Sequence, residues 1–318
     1  MILCDHCVYR FFQVHKRIST TEKTPGTVNE RRKGALHIVI IIAPTRVGDR
    51  KQRQTAGRNP IVRIRFITST PLNIRQGSGT FAGIAALAEA LRNNGSSVEF
   101  LTPSFRVPVY TLQRVLFNEL LRLRQLSSCD VTVGFDMDGY AVAQQAAGLR
   151  VAFIKGVIAD EMRFETGFTR LTMAIQAACE RAHVQAANLV ITTSRYSAER
   201  IQALYGLTHA PHIVPELIDL QAWQQRLESA PCVPARGKFI VLCVCRFYPR
   251  KRVDVLLRAA ARLRSKLPGL EVRIVGGGPQ QFLLKRIWGT EGLGSIVKWR
   301  ENISQDELIS EYKQCDVF

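Results

Sequence analysis

Long hydrophobic runs are absent from this chain of 318 residues. The longest apolar segment, Ile38 to Ala43, is far shorter than the roughly 20 residues that a membrane-spanning helix needs. We therefore expect a soluble or peripheral protein without a membrane-spanning helix.

A disulfide framework is also absent. The eight cysteines are scattered through predicted strands and helices, and Cys243 and Cys245 stand on one apolar strand. This usage is typical of a reducing compartment, so we expect a cytoplasmic protein. Cys4 to Cys7, with His15, supplies half of a zinc site, but no second pair of ligands follows at a suitable spacing, and we predict no metal.

Acidic residues are few, since the chain carries 44 Lys/Arg against 26 Asp/Glu and a formal net charge of +18. The excess is uneven, because residues 1–60 hold 12 Lys/Arg against 4 Asp/Glu. We interpret residues 1–60 as a basic, poorly ordered N-terminal extension. The remainder is still basic enough to favour polyanionic partners such as nucleotide diphosphates, anionic membranes or nucleic acid.

From Ile61 onward, predicted strands and helices alternate, which predicts an α/β fold with mostly parallel sheets and helices on both faces. The length exceeds one domain of about 150 residues, and 46% of the residues are hydrophobic, enough for two cores. We predict an N-terminal domain over 61–227, a linker over 228–238 and a C-terminal domain over 239–318. The predicted strands are Ile61–Ser69, Val98–Thr102, Val131–Phe135, Arg150–Ile154, Leu189–Thr193, His212–Val214, Phe239–Cys245, Glu271–Val275 and Ile296–Trp299. The predicted helices include Phe81–Asn93, Tyr110–Leu126, Tyr140–Ala147, Phe168–Ala187, Tyr196–Leu204 with Ser194 as its N-cap, and a helix that reaches Lys313 after a capping box at Ser304–Glu307.

The last residues, Asp316 to Phe318, resemble the start of a further strand. A C-terminal domain of about 80 residues buries little core. We therefore expect the sequence to be a truncated part of a longer protein.

Two cations follow the strand that begins the C-terminal domain. Arg246 comes directly after this strand and Lys251 follows five residues later. The carboxyl ends of strands are where open α/β sheets bind ligands, and fixed cations there stabilise the charge that develops on a departing diphosphate. The alternative is a solvated basic helix start, since Arg250 and Arg252 stand beside them.

A glycine-rich turn follows the next strand. Gly276, Gly277 and Gly278 let backbone N–H groups approach an anion, and Pro279 suits the first turn of a helix. By itself the turn is equally typical of an ordinary strand-to-helix connection.

A second glycine-rich segment, Gly77-Ser78-Gly79-Thr80, precedes the helix predicted to start at Phe81. With Gly83 it spells G-x-G-x-x-x-G, which invites an NAD-binding interpretation. The distance from Ser69 is too long for the tight turn of that motif, and Thr102 stands where an acidic residue would hold the ribose. We therefore keep an NAD-dependent oxidoreductase only as a minor alternative.

Taken in order, these residues resemble the retaining glycosyltransferases of family 4, which have the GT-B fold of two facing Rossmann-like domains. The resemblance covers the chain from Arg63 to Phe318. The matching pieces are the glycine-rich loop Gly77–Thr80; residues 188–197, similar to the family's D-x-V-I-x-x-S; residues 214–219, similar to V-P-N-G-V-D; Arg246 to Lys251, similar to its R-x(4)-K diphosphate clamp; and residues 275–279, similar to V-G-x-G-P.

The sequence also departs from the family pattern. Glu216 and Leu217 replace the usual Asn-Gly. Asp136 and Asp138 stand where many members carry a histidine near the transferred sugar, so the resemblance implies a catalytic role for them, against the alternative of turn formation and helix capping. The family's E-x(7)-E segment is expected beyond Phe318.

The resemblance implies transfer of a sugar from a nucleotide-diphosphate sugar to a glycan, lipid or small-molecule acceptor, with retention and without a tightly bound metal or cofactor. In it, Arg246 and Lys251 neutralise the diphosphate, while the two glycine-rich segments contact donor and acceptor. The predicted helix Tyr110–Leu126 combines Arg114, Arg122 and Arg124 with leucines, which is typical either of an interfacial helix on an anionic bilayer or of an ordinary helix covering a sheet. A non-catalytic basic module that binds membrane or nucleic acid remains the main alternative; for the transferase itself we expect no nucleic-acid partner.

Overall fold

The computed structural model describes residues 61–71, 74–142, 147–231 and 237–318. The predicted extension over 1–60, including the segment Cys4 to Cys7, lies outside the described residues. The described chain divides into two compact units between Ile218 and Asp219.

The N-terminal unit is built on a six-stranded parallel sheet with the order β2-β1-β3-β4-β5-β6. The chain therefore adds β2 on one side of β1 and all later strands on the other side. This order confirms the predicted parallel α/β architecture. The strands are β1 (Arg63–Ile67), β2 (Ser97–Leu101), β3 (Val131–Phe135), β4 (Leu149–Ile154), β5 (Leu189–Thr192) and β6 (His212–Ile213).

Helices cover both faces of this sheet. Ile64 and Phe66 point to one face and pack with Phe135 beneath the first helix, while Ile67 points to the other face and packs on Phe117 of the second. The rings of Phe66 and Phe135 meet edge to face at 5.0 Å. The helices are α1 (Ile74–Asn93), α2 (Tyr110–Arg122), α3 (Ile158–Glu161), α4 (Gly167–Ala186) and α5 (Arg195–Tyr205).

Local signals placed the ends of α5 correctly. The Ser194 side chain accepts a hydrogen bond from the Ser197 N–H at 3.1 Å, and Gly206 ends the helix with φ +70°. By contrast, the helix predicted over Tyr140–Ala147 is wrong in its described part, because residues 140–142 form turns that follow Asp136 and Asp138. Residues 143–146 lie outside the described residues.

The C-terminal unit has three paired parallel strands in the order β7-β8-β9. Val317 bridges to Val241 on the other side of β7, in parallel, and the Leu242 N–H donates to the Val317 carbonyl at 2.8 Å. The capping box of the last helix is confirmed, since Ser304 and Glu307 exchange both bonds. The strands are β7 (Phe239–Val244), β8 (Leu270–Val275) and β9 (Val297–Arg300), and the helices are α6 (Leu220–Ser229), α7 (Val253–Leu263), α8 (Gln281–Thr290) and α9 (Gln305–Gln314).

Helix α6 belongs to the C-terminal unit, although the sequence analysis placed most of it in the N-terminal domain. Trp223 packs edge to face on Tyr312 of α9 at 5.9 Å. The Lys313 ammonium donates to the carbonyls of Glu228 and Ala230. These contacts fix α6 on α9, so the boundary between the units lies before this helix.

None of the helices in the described part of the chain is both long and apolar enough to cross a membrane.

Candidate functional site

The C-terminal unit has a topological switch point at β7. Strand β8 lies on one side of β7 and the Val317 bridge lies on the other, so the connections leave β7 in opposite directions. Ligands of open α/β sheets bind outside the carboxyl ends of the strands at such a point. The carboxyl end of β7 leads into Arg246, and that of β8 leads into Gly276.

The glycine turn after β8 is in tight contact with the end of β7. Gly276 has φ +139°, and a Cβ atom there would lie 2.0 Å from the Cys245 carbonyl oxygen. Gly278 has φ +153°, and its Cβ would lie 2.8 Å from the Phe247 nitrogen. Both positions require glycine for the approach of two backbones.

Hydrogen bonds join this turn to the segment after β7. The Phe247 N–H donates to the Gly277 carbonyl at 3.0 Å, and the Gln280 N–H donates to the Phe247 carbonyl at 3.0 Å. The Phe247 side chain is fully buried and packs against Trp299. The loop with Arg246 and the glycine turn therefore form one continuous structure.

The two predicted cations are exposed at this end of the sheet. Arg246 directly follows Cys245, and Lys251 ends a short 3-10 turn over Pro249–Lys251. The Lys251 N–H donates to the Tyr248 carbonyl at 2.9 Å, which closes that turn. The next residue, Arg252, has left-handed backbone angles with φ +51°. This geometry keeps the lysine beside the carboxyl end of β7.

Helix α8 begins at Gln281, two residues later than the predicted start at Pro279. Pro279 and Gln280 form a turn, and the Gln281 N–H donates to the Gly278 carbonyl at 3.0 Å. The helix starts late because Gln280 is held by the Phe247 carbonyl. The glycine turn thus extends through Gln280 before the helix begins.

The N-terminal unit has its own switch point, between β1 and β3, and there the polar residues are enclosed. The Asp138 side chain has no exposed surface and accepts hydrogen bonds from the Ser69 N–H and hydroxyl, both at 2.7 Å. The guanidinium of Arg114 in α2 lies 3.1 Å from the same carboxylate, and Asn118 donates to it at 3.0 Å. These contacts tie the ends of β1 and β3 to α2. They leave none of the Asp138 surface exposed, and a catalytic role for it stays a prediction.

Burial acts to lower the pKa of Arg114, but the Asp138 carboxylate beside it raises that pKa above the ordinary value. Arg114 therefore keeps its charge inside the protein. Only 5% of Arg114 is exposed, so it does not belong to the basic surface that the interfacial alternative for this helix requires. Of the three arginines, Arg122 and Arg124 remain at the surface.

Asp136 has left-handed backbone angles with φ +54°, and its carboxylate accepts hydrogen bonds from the N–H groups of Lys155 at 2.8 Å and Gly156 at 3.4 Å. Its carbonyl lies 2.7 Å from the Nδ1 atom of His183. Burial raises the pKa of Asp136, opposed by the charge of Arg114. The described contacts join the ends of β3 and β4; a catalytic role for Asp136 stays a prediction.

The predicted loop Gly77–Thr80 is wrong as a loop, because α1 already starts at Ile74 and includes all four residues. Glycine does not prevent a helix when tertiary contacts favour it. A Cβ at Gly79 would have no atom within 4 Å, so open space adjoins the helix there. This segment is therefore part of a helix and not a glycine loop.

A lysine that the sequence analysis missed lies next to α1. Lys155 follows β4, has a side chain only 6% exposed, and pairs with Glu216 at 2.7 Å. A Cβ at Gly83 would collide with both of these side chains, so glycine lets them pack against the helix. A lone lysine directly after an apolar strand was the available signal. Glu216, which departs from the family pattern, is thus the partner of this lysine.

No group of three or more metal-binding side chains occurs within the described ranges.

A protein family and several characterised proteins are similar to parts of the chain. Residues 226–318 match the family described as Glycosyl transferases group 1. The chain is 29% identical over 179 residues to a GDP-mannose-dependent alpha-(1-6)-phosphatidylinositol monomannoside mannosyltransferase of Mycolicibacterium smegmatis, a match that covers 53% of this chain and 45% of the relative. It is 32% identical over 161 residues to a D-inositol 3-phosphate glycosyltransferase of an Arthrobacter species, which covers 49% of this chain and 35% of the relative. The matched part therefore spans less than half of either relative.

Among solved structures, the chain is similar to the catalytic domain of starch synthase IV from Arabidopsis thaliana, bound to ADP and acarbose. The TM-score is 0.54 at 11% identity, and the match covers 81% of this chain and 77% of that one. At this identity the likeness concerns the fold alone. The fold is that of GT-B glycosyltransferases, as the sequence predicted.

Proposed function

We propose that the protein is a glycosyltransferase that moves a sugar from a nucleotide-diphosphate sugar to an acceptor. The observation that carries the proposal is the position of Arg246, Lys251 and the Gly276 turn at the switch point of β7. This is the part of the chain that matches glycosyl transferases group 1. Switch points of parallel sheets are the usual place for nucleotides.

In this proposal, the C-terminal unit holds the donor. As the bond between the sugar and the diphosphate breaks, negative charge grows on the departing oxygen. Arg246 supplies a planar fork of donors and Lys251 a compact charge, so that together they stabilise the leaving group. Two fixed cations provide the neutralisation that a divalent ion gives elsewhere, so we propose transfer without a tightly bound metal, and, by resemblance to family 4, with retention.

Gly276, Gly277, Gly278 and Pro279 are proposed to line the diphosphate through their backbone. Residues Gly77, Ser78, Gly79 and Thr80, at the start of α1, are proposed to contact the acceptor. Asp136 and Asp138 are the candidates for a role near the transferred sugar.

Curated relatives suggest which substrates to test first. Their names specify GDP-mannose with a phosphatidylinositol mannoside, and inositol 3-phosphate. We therefore propose GDP-mannose as the first donor candidate, and a lipid or polyol carrying inositol as the first acceptor.

The surface of α2 supports a lipid acceptor. Four leucines lie on its solvent side and are 40–82% exposed: Leu112, Leu116, Leu120 and Leu123. Arg106, Arg122 and Arg124, which flank these leucines in the sequence, are also exposed. Such a surface suits the interface of an anionic bilayer, so we propose peripheral contact with the cytoplasmic face of a membrane. The wild-type chain should bind vesicles that contain anionic lipid and should not bind neutral vesicles. The double variant Leu116→Glu and Leu120→Glu should bind the anionic vesicles at least ten-fold more weakly.

Calorimetric titration of the chain with GDP-, UDP- and ADP-sugars, followed by a transfer assay with radiolabelled donor and an inositol-lipid acceptor, tests the proposed function. We expect heat from one class of donor and labelled product from the same class. A non-catalytic basic module would give no heat with any donor, together with polyanion binding that weakens steeply with salt. That outcome would overturn the proposal.

A further inference from the structure

Two cysteine side chains lie next to each other on β7. Cys243 and Cys245 occupy alternate positions, so both point to the face of the sheet covered by α7 and α8, and their sulfur atoms are 3.8 Å apart. Both residues are half-buried. A structural zinc site needs four ligands, and no metal-binding group of three occurs in the described part of the chain. The pair must therefore be considered as thiols.

Cys245 is part of the wall of the candidate diphosphate site. Its N–H donates to the Val275 carbonyl at 3.1 Å, and its own carbonyl oxygen faces Gly276 so closely that a Cβ there would lie 2.0 Å away. Arg246 is the next residue. The backbone of Cys245 thus adjoins both the glycine turn and the first cation.

The charges around the pair favour a thiolate at Cys245. The contact with the Cys243 thiol has the largest effect, burial opposes it, and the charges of Lys251 and then Arg250 add to it; together they lower the pKa of Cys245 to about 7. The same contact, together with burial, raises the pKa of Cys243. On α9, the pKa of the Tyr312 hydroxyl is raised by burial first and then by Cys315 and Cys243.

The other described cysteines differ. Cys129 and Cys315 are buried, and burial raises the pKa of Cys179. The reactivity of a thiol depends on the fraction present as thiolate and on the exposure of the sulfur. Nearby cations increase the thiolate fraction. Within the described ranges, Cys245 therefore combines partial exposure with cations on one side and a thiol donor on the other.

We propose that Cys245 is a modification site, whose sulfur reacts with soft carbon electrophiles such as haloacetamides and α,β-unsaturated carbonyl compounds, and that the adduct obstructs the candidate diphosphate site. The second part rests on the proposed function. With a haloacetamide, the sulfur–carbon bond forms as the carbon–halogen bond breaks, and the halide leaves with the electron pair. With an unsaturated carbonyl compound, the sulfur adds to the β-carbon, the π-electron pair moves toward the carbonyl, and water protonates the α-carbon.

Alkylation of the full chain with limiting iodoacetamide between pH 5.5 and 9.5, with the adduct on each cysteine quantified by peptide mass mapping, tests the first part. We expect the rate at Cys245 to be half-maximal near pH 7 and at least ten-fold above that at Cys179 at pH 7. The variant Cys243→Ala, which removes the thiol donor, should move the half-maximum to higher pH. The control Cys315→Ala should leave it unchanged, and circular dichroism confirms that both variants are folded.

A half-maximum for Cys245 near the ordinary thiol value of about 8.5, or a rate no greater than that at Cys179, would overturn the assignment of a reactive thiol. Protection separates this failure from that of the proposed function. GDP, UDP and ADP are added at millimolar concentration, and at least one should slow alkylation of Cys245 five-fold or more without slowing that of Cys179. Fast alkylation without protection by any nucleotide would keep the reactive thiol and contradict the diphosphate site.

Discussion

The two units both have charged residues at the switch point of their sheets, but these residues are buried in the N-terminal unit and exposed in the C-terminal unit. At the β1–β3 switch point, the side chains of Arg114 and Asp138 are 7% and 0% exposed and bind each other. At the β7 switch point, Arg246 and Lys251 are exposed. The same topological position thus holds an internal clamp in one unit and a surface suited to an anion in the other.

The difference teaches that topology alone does not identify a ligand site. A buried ion pair must satisfy its own hydrogen bonds, because unpaired charge inside a protein is costly. Asp138 does so with donors from β1 and α2, and none of its surface is exposed. Arg246 and Lys251, by contrast, are accessible to a ligand from solution.

Removal of the buried cation should have the largest effect. Arg114→Met leaves the Asp138 carboxylate enclosed with one partner fewer, so we expect the free energy of unfolding to fall by about 3–5 kcal/mol. Chemical denaturation measures it. The matched control on the same helix is Arg122→Met, because Arg122 forms an exposed pair with Glu119 at 3.2 Å, and its loss should cost at most about 0.5 kcal/mol. Equal effects of the two variants would remove the contrast between the switch points.

Removal of an exposed cation should affect activity and not stability. We expect Arg246→Ala to lower the rate of sugar transfer about 100-fold, since a preorganised electrostatic donor is lost. The control is Arg258→Ala on α7, whose exposed side chain lies 3.8 Å from Glu291. Transfer assays and thermal unfolding are run on both proteins. A rate within a few-fold of wild type for Arg246→Ala would refute the assignment of this arginine to the diphosphate.

A buried carboxyl group of the N-terminal unit should make the stability of the protein depend on pH. Glu180 is fully buried, accepts hydrogen bonds from the Ile158 N–H and the Tyr205 hydroxyl, and burial raises its pKa well above the ordinary value of 4.5. The folded state therefore holds this proton more tightly than the unfolded state. Its stabilising contribution is complete below pH 4.5 and is lost as the pH rises toward the folded pKa.

Denaturation of wild type and Glu180→Gln from pH 4 to pH 9 measures this dependence. Wild type should lose stability relative to the variant as the pH rises. Glu307→Gln is the control with the opposite sign. Hydrogen bonds from Ser304 lower the pKa of Glu307, so wild type should lose stability relative to this variant as the pH falls. A wild-type profile parallel to that of Glu180→Gln would show that Glu180 is ionised in the folded state.

The smallest effect is expected beside the exposed cations. Arg252 has left-handed backbone angles that cost a non-glycine residue about 1–2 kcal/mol. Because glycine also loses more chain entropy, Arg252→Gly should stabilise the protein by only about 0.5–1 kcal/mol. Asn302, with φ +54°, is the matched control, since asparagine tolerates this conformation and Asn302→Gly should gain less. Calorimetric unfolding that finds Arg252→Gly less stable than wild type would contradict a strained turn.

Much of the fold could be predicted because its signals are local. The Ser194 cap, the Ser304 capping box and the alternation of strands and helices depend on residues a few positions apart. They are confirmed, apart from the helix predicted between β3 and β4. The glycine turn was also locatable, although Gln280 delays the helix. These features depend on the backbone conformation of short segments, which the residues within each segment determine.

The polar clamp could not be predicted, since its partners are far apart in sequence. Ser69 and Asp138 are separated by 69 residues, and only the pairing of β1 with β3 brings them together. The periodicity of α2 predicted a helix but could not show that Arg114 is buried while Leu116 and Leu120 are exposed. Gly77–Thr80 had the composition of a loop, and the tertiary structure makes it helical.

The hydrogen bonds of Phe247 to Gly277 and Gln280 have a thermodynamic consequence. Because both walls of the candidate donor site are already bound to each other, a ligand need not freeze either loop when it arrives. Binding would then avoid the ordering entropy of about 0.5–1.5 kcal/mol for each immobilised side chain that a mobile loop incurs. The fully buried Phe247 ring would not contact the ligand, but it would stabilise the two loops in the conformation that binds it.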